Sequence, residues 1–223
     1  KAFIFKKHNI GNTWDTTAAF SLDQNTEDVG FGQSLAMTND WIVVGAYSGT
    51  NDKAFIFKKN TDATWDTTAA YALDQYTGEQ FFGCSIAMTN DWLVVGAFSA
   101  AKVFIFKKNN TDNTWNTTAA ITLHNPDFNT LLPLSDSNGG SFGFSLAMTN
   151  NWIVVGIANN YQKAFIFKKN NTANTWDTTA AFTLDPNTGD RSFGYSVAIT
   201  DNSGAVVGAH SEKKAFSSFH RNC

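Results

Sequence analysis

One block recurs four times along the chain: FGQSLAMTNDWIVVGA from Phe31, FGCSIAMTNDWLVVGA from Phe82, FGFSLAMTNNWIVVGI from Phe142 and FGYSVAITDNSGAVVGA from Phe193. The leading phenylalanines are spaced 51, 60 and 51 residues apart. A second block lies between these copies, KAFIFKK at Lys1, Lys53 and Lys163 and VFIFKK at Val103, each followed by a Thr-Trp pair and a Thr-Ala-rich stretch. Self-similarity at this period means that one supersecondary unit is stacked repeatedly, each copy burying a face that it cannot bury alone. The fold must therefore be an array.

Within each unit, short runs of β-branched and aromatic residues alternate with clusters of Asn, Asp, Gly and Thr, the pattern of strands joined by tight turns. One unit resolves into SIAMT, WLVVGA, KVFIFKK and TWNTTAAITL, four strands in succession. Asn39-Asp40 and Asn90-Asp91 suit the first hairpin, because their side chains tolerate left-handed backbone and bond it locally. KKNTDATW and KKNNTDNTW supply the second hairpin. No apolar run approaches 18 residues, which excludes a spanning helix and membrane insertion. A chain of 223 residues buries roughly 70% of its unfolded surface, so a core forms without staples.

The order FG, small-apolar strand, VVGA, aromatic strand and Trp-containing hairpin resembles the FG-GAP repeats of the integrin alpha-subunit propeller and of many secreted microbial and algal proteins. The resemblance covers nearly the whole chain and implies an all-β propeller of four-stranded antiparallel blades. Residues 1–28 carry only the later strands of a blade and residues 193–213 only the first two, so the expected fold is four blades closed by pairing of these terminal halves, which removes open strand edges. The expected blades are 193–213 plus 1–28, 29–80, 81–125 and 141–190, with 126–140 an inserted loop and 214–223 a tail. KAFSSFHRNC in that tail begins another aromatic strand, which leaves open a fragment of a longer propeller protein.

Several residues are candidates for function. Trp14, Trp65, Trp115 and Trp176 could stack on sugar faces, although rings at repeat spacing also suit the packing between blades. Phe128 and Asp136 lie in the insertion, the one break in the repeat, where binding residues concentrate on a rigid scaffold. Asp23, Asn25 and Asp28, and Asp185, Asn187 and Asp190, offer alternating oxygen donors of the kind calcium takes, though without the dense DxDxDG pattern of the calcium loops found in some FG-GAP repeats. The paired lysines ending each aromatic strand, such as Lys58-Lys59, are expected on the same face as the Asn-Asp turns, with the acidic loops opposite.

Asn109, Asn116 and Asn170 satisfy the N-glycosylation triplet in the second hairpins, which with the family's secreted habit predicts an extracellular or cell-surface location. Cys84 and Cys223 neither frame a disulfide scaffold nor make a zinc site, and leave the redox compartment open. A net charge of -3 argues against nucleic acid as a partner. His8, His124, His210 and His220 sit in no recognised catalytic motif, so the sequence predicts no enzyme. The expected role is recognition or adhesion, binding a glycan or an extracellular protein. The alternative is a self-associating structural subunit of a filament or matrix.

Overall fold

The computed structural model describes residues 1–8, 10–23, 30–47, 52–75, 81–129, 141–158, 163–186 and 192–210. Each repeat forms its own antiparallel sheet. The first complete one pairs β5 (Leu35–Met37), β6 (Trp41–Ala46), β7 (Lys53–Lys58) and β8 (Tyr71–Leu73) in that order. The second pairs β9 (Phe82–Met88), β10 (Trp92–Ala97) and β11 (Lys102–Asn109), with β12 (Thr114–Trp115) and β13 (Ile121–His124) sharing the outer edge of β11. The third repeats this with β14 (Phe142–Met148), β15 (Trp152–Ile157), β16 (Ala164–Asn170), β17 (Thr175–Trp176) and β18 (Phe182–Leu184).

The two ends are half-units. β1 (Ala2–Ile4) pairs with β4 (Phe20–Leu22), and β2 (Lys7–His8) with β3 (Thr13–Trp14). At the other end β19 (Phe193–Thr200) pairs with β20 (Gly204–Ala209) alone. The ladder expected to join residues 193–213 to residues 1–28 is thus not formed among the described residues. The N-terminal half packs instead on the β5–β8 sheet, where Ala2 and Leu22 join Ile42, Val44, Phe57 and Trp65 in one buried cluster. The described sheets make an open arc.

The FG motif makes a bulge. Between Val95 and Ala97 the β9–β10 register shifts, and Gly83 takes φ +91°, a conformation closed to residues with a Cβ. The bulge turns Ser85 toward the next sheet, where its hydroxyl donates to the Gly143 carbonyl at 2.6 Å. Ser34 donates likewise to Gly83 at 2.5 Å and Ser145 to Gly194 at 2.7 Å. The glycine of VVGA is the other half of this contact: a Cβ on Gly96 would stand 2.2 Å from the Gly143 oxygen. Both glycines of the repeat are therefore required by the approach of one blade to the next.

Farther from the axis the blades are held by rings and aliphatic side chains. Trp41, Val43, Ile56 and Leu73 of one sheet pack against Phe82, Phe104, Phe106 and Trp115 of the next. The following junction has the same composition, built from Trp92, Ile105, Leu123, Phe142, Phe165 and Trp176. The second hairpins are set locally: Asp62 accepts from the Thr64 hydroxyl at 2.5 Å and from its backbone N–H at 3.0 Å, and Asp112 serves Thr114 in the same way. These hydrogen bonds, the hydroxyl's first, hold the Asp62 carboxyl below the usual carboxylate range.

Candidate functional site

The first hairpin of every unit ends in a Thr-Asn or Thr-Asp turn, and its construction is the same each time. The Thr38 N–H bonds the Trp41 carbonyl at 2.8 Å, and its hydroxyl accepts from the Trp41 N–H at 3.2 Å. Thr89 with Trp92 and Thr149 with Trp152 repeat both bonds. The threonine thus closes the turn and leaves the following asparagine exposed.

Curvature of the arc brings the four turns together at one end of its axis. Thr38, Asn39, Thr89, Asn90, Thr149 and Asn150, with Met37 and Asp201, line an open cavity of about 560 Å³. Asp201 belongs to the β19–β20 half-blade and is tied to its neighbour, accepting from the Thr149 hydroxyl at 2.5 Å and from the Asn151 amide at 3.2 Å. No hydrogen bond among the described residues engages the side-chain amides of Asn39, Asn90 or Asn150. The wall is a curved row of neutral donors and acceptors beside one thioether. That chemistry suits a hydroxyl-rich, uncharged ligand, each amide offering both halves of a hydrogen bond.

The tryptophans proposed for sugar stacking lie elsewhere. Trp65, Trp115 and Trp176 are buried between blades, so the stacking expectation is corrected for them: their faces are covered by the neighbouring unit. Trp14 alone of the four is exposed. Asp23 and Asp185 are exposed, and Asp23 pairs with Lys1 at 3.1 Å. Asn25, Asp28, Asn187, Asp190 and Asp136 fall outside the described residues, and no cluster of three or more His, Cys, Asp or Glu occurs among the described ones. Phe128 sits in a short 3-10 turn, Pro126–Asn129, and its side chain is outside the described set. Asn109, Asn116 and Asn170 are exposed. Cys84 is a buried free thiol.

Sequence reasoning missed a row of rings that crosses the blade boundaries. Tyr47 meets Phe81, Phe81 stacks on Phe98 at 4.7 Å, Phe98 meets Phe144, and Phe144 meets Tyr195. The signal was the residue after each FG or VVGA motif, which is aromatic in only some units: Phe144 and Tyr195 stand where the other repeats carry Gln33 and Cys84.

Comparison with solved structures gives this arc its architecture. Residues of this chain overlay a "putative 6-phosphogluconolactonase" from Bacteroides uniformis with a TM-score of 0.59 at 9% identity, covering 92% of this chain and 56% of that one. The fold is a β-propeller. Saccharomyces cerevisiae Sqt1 (TM-score 0.48, 13% identity, 71% of this chain and 36% of that one) and the WD40 domain of Toxoplasma gondii coronin (0.33, 12%, 79% and 50%) give weaker overlays. This propeller chain thus spans about half, or less, of the length of the structures named. No family model matches it, and no curated protein does.

One expectation is corrected by the comparison. The sequence placed the chain outside the enzymes, yet the Bacteroides uniformis protein, whose title is that of an enzyme, has the same fold, so propeller architecture does not count against catalysis. At 9% identity the likeness is one of fold and carries no activity to this chain.

Proposed function

We propose that this protein is an extracellular or cell-surface recognition propeller of FG-GAP type that binds a neutral glycan at the Thr-Asn mouth of its axis. The observation that carries the proposal is the convergence of Asn39, Asn90 and Asn150, three exposed amides at equivalent positions of successive blades, around one cavity of about 560 Å³. Ligand sites are concave and use few, well-placed polar groups on a rigid scaffold. Repeated, evenly staggered amides fit a repeated ligand, and sugar hydroxyls both donate and accept. The three glycosylation triplets at exposed positions support the location.

The experiment is a glycan array probed with the labelled protein and with a triple variant, Asn39→Ala, Asn90→Ala and Asn150→Ala. These side chains are exposed and carry no internal hydrogen bond among the described residues, so the fold survives their loss. Retention of neutral oligosaccharides by the parent and not by the variant is the expected result. An array on which neither binds, or both bind alike, refutes the assignment.

A further inference from the structure

The repeat supplies a template for what should cover every face, and at two places the template is unfilled. Phe55, Phe104 and Phe165 are buried, as are Phe57, Phe106 and Phe167, because each lies against the preceding blade. Their counterparts at the N-terminal end, Phe3 and Phe5, are 57% and 48% exposed. Trp14 is 61% exposed, against 8%, 3% and 2% for Trp65, Trp115 and Trp176. This end of the arc presents a plug of three rings.

The other end presents the matching socket. On complete blades the face toward the next unit is closed: Trp41, Ile56 and Leu73 are buried, and so are Trp92, Ile105 and Leu123. The equivalents Trp152, Ile166 and Leu184 are only partly covered, and Phe182 beside them is 57% exposed. Trp152, Ile166 and Phe182, with Gly204 and Ala205 of β20, line a pocket of about 210 Å³. At the filled junctions this position receives the hairpin tryptophan of the next blade. Trp115 meets Trp41 edge to face, centroids 6.2 Å apart with planes at 89°, and Trp176 meets Trp92 at 6.1 Å and 87°. Lys169 adds its ammonium over Trp92 at 5.7 Å. Trp14 and Lys7 are the residues of this chain that stand in those two places.

The backbone is complementary too. β6 and β7 pair with Val43 opposite Ile56 and Gly45 opposite Ala54. In the terminal halves those positions are Val206 and Gly208 in β20 and Ile4 and Ala2 in β1, yet β20 pairs only with β19, and Val206 is 72% exposed where Val43 and Val94 are fully buried. An open edge flanked by exposed apolar side chains is a template for another strand.

We propose that the occupant is a second copy of this chain: the β1–β4 half of one copy completes the β19–β20 half of the other, head to tail, and the contact closes after two copies into one ring. Each copy gives three complete blades and two halves, so the ring has eight blades. A single copy does not close on itself, because the three junctions fixed by buried rings hold its ends on opposite limbs of an arc. That arc matches 56% of the Bacteroides uniformis propeller chain, just over half a ring. A head-to-tail contact that closes gives a discrete oligomer, whereas one that does not gives a fibre. This inference does not depend on the glycan reading.

Sedimentation of the intact chain tests it first. A discrete species of twice the single-copy mass is expected, and Trp14→Lys should raise its dissociation constant at least about tenfold while leaving the fold of one copy intact, since Trp14 is exposed there. A monomer at high concentration, or a ladder of lengthening species, overturns the proposal. The second measurement needs no destabilising change. With Cys223→Ser as background, Ile4→Cys protein is mixed with Val206→Cys protein and treated with a short thiol cross-linker. Covalent dimer in the mixture, and not in either protein alone, is expected. Cross-linking seen only when both cysteines are on one chain, without a gain in mass, would show self-closure and overturn it.

Discussion

Ser85 on one blade donates its hydroxyl to the carbonyl of Gly143 on the next, at 2.6 Å, in a place from which water is excluded. Equivalent serines make the same bond at the two neighbouring junctions, so this is the innermost fastening of the array. Ser85→Ala leaves the Gly143 oxygen with a weaker set of donors. The expected cost is about 1–3 kcal/mol, the penalty for an unsatisfied buried acceptor, measured by urea unfolding.

Gly96 should be less forgiving. An added methyl would lie 2.2 Å from the Gly143 oxygen and 2.3 Å from the Ser85 hydroxyl, and the first of these is backbone that cannot rotate away. Gly96→Ala is therefore expected to cost about 3 kcal/mol, the upper range for overpacking, and to exceed the Ser85→Ala effect. A melting temperature equal to the parent's would show that the blades can separate without loss.

Ala63 marks a point where the chain is under-optimised. It takes φ +65° in the second hairpin, at the position where the other units carry Asn12, Asn113 and Asn174, all likewise at positive φ. Left-handed backbone costs an alanine about 1 kcal/mol that asparagine largely avoids. Ala63→Asn should stabilise by up to about 1 kcal/mol, visible as a shift of the urea midpoint without a change of slope.

The adjacent Asp62 gives a prediction in pH. Its carboxylate is favoured by the Thr64 hydroxyl and then by the Thr64 backbone N–H, so its folded value lies below its unfolded one. The small stabilisation this brings is present above the unfolded value and is lost as pH falls through the folded one. In an NMR titration Asp62 should have its midpoint below the ordinary carboxylate range, and Thr64→Val should move it upward. An unchanged midpoint would separate the hydrogen bond from the shift.

Glycan occupancy is the simplest check on location. Secretion from a eukaryotic host should add mass at Asn109, Asn116 or Asn170, and Asn→Gln at each should remove its share. Mass spectra identical to those of the unglycosylated chain would withdraw the triplets' support for an extracellular site.

The strands, their order and the need for glycine at FG and VVGA were legible in the sequence because each is a local demand repeated four times. Trp14 and Trp176 show where legibility stops. They stand in the same motif and differ only in what lies beside them, which depends on how the arc ends. The same holds for the mouth. Asn39, Asn90 and Asn150 are recognisable singly as turn residues, but their convergence follows from the angle between blades, set by the ring contacts of Phe82 and Phe142 rather than by any local pattern. Closure failed as an expectation for this reason: complementary ends do not say how far apart curvature holds them.

An arc whose sheets touch only their neighbours also has a direction of failure. The β9–β13 blade is braced on both sides, whereas each terminal half is braced on one, so amide protons in β10 and β11 should exchange last and those of β1 and β20 first. Heated as a single copy, the molecule should peel inward from its tips in steps of one unit. Joined to a twin, it would have no tip from which to begin.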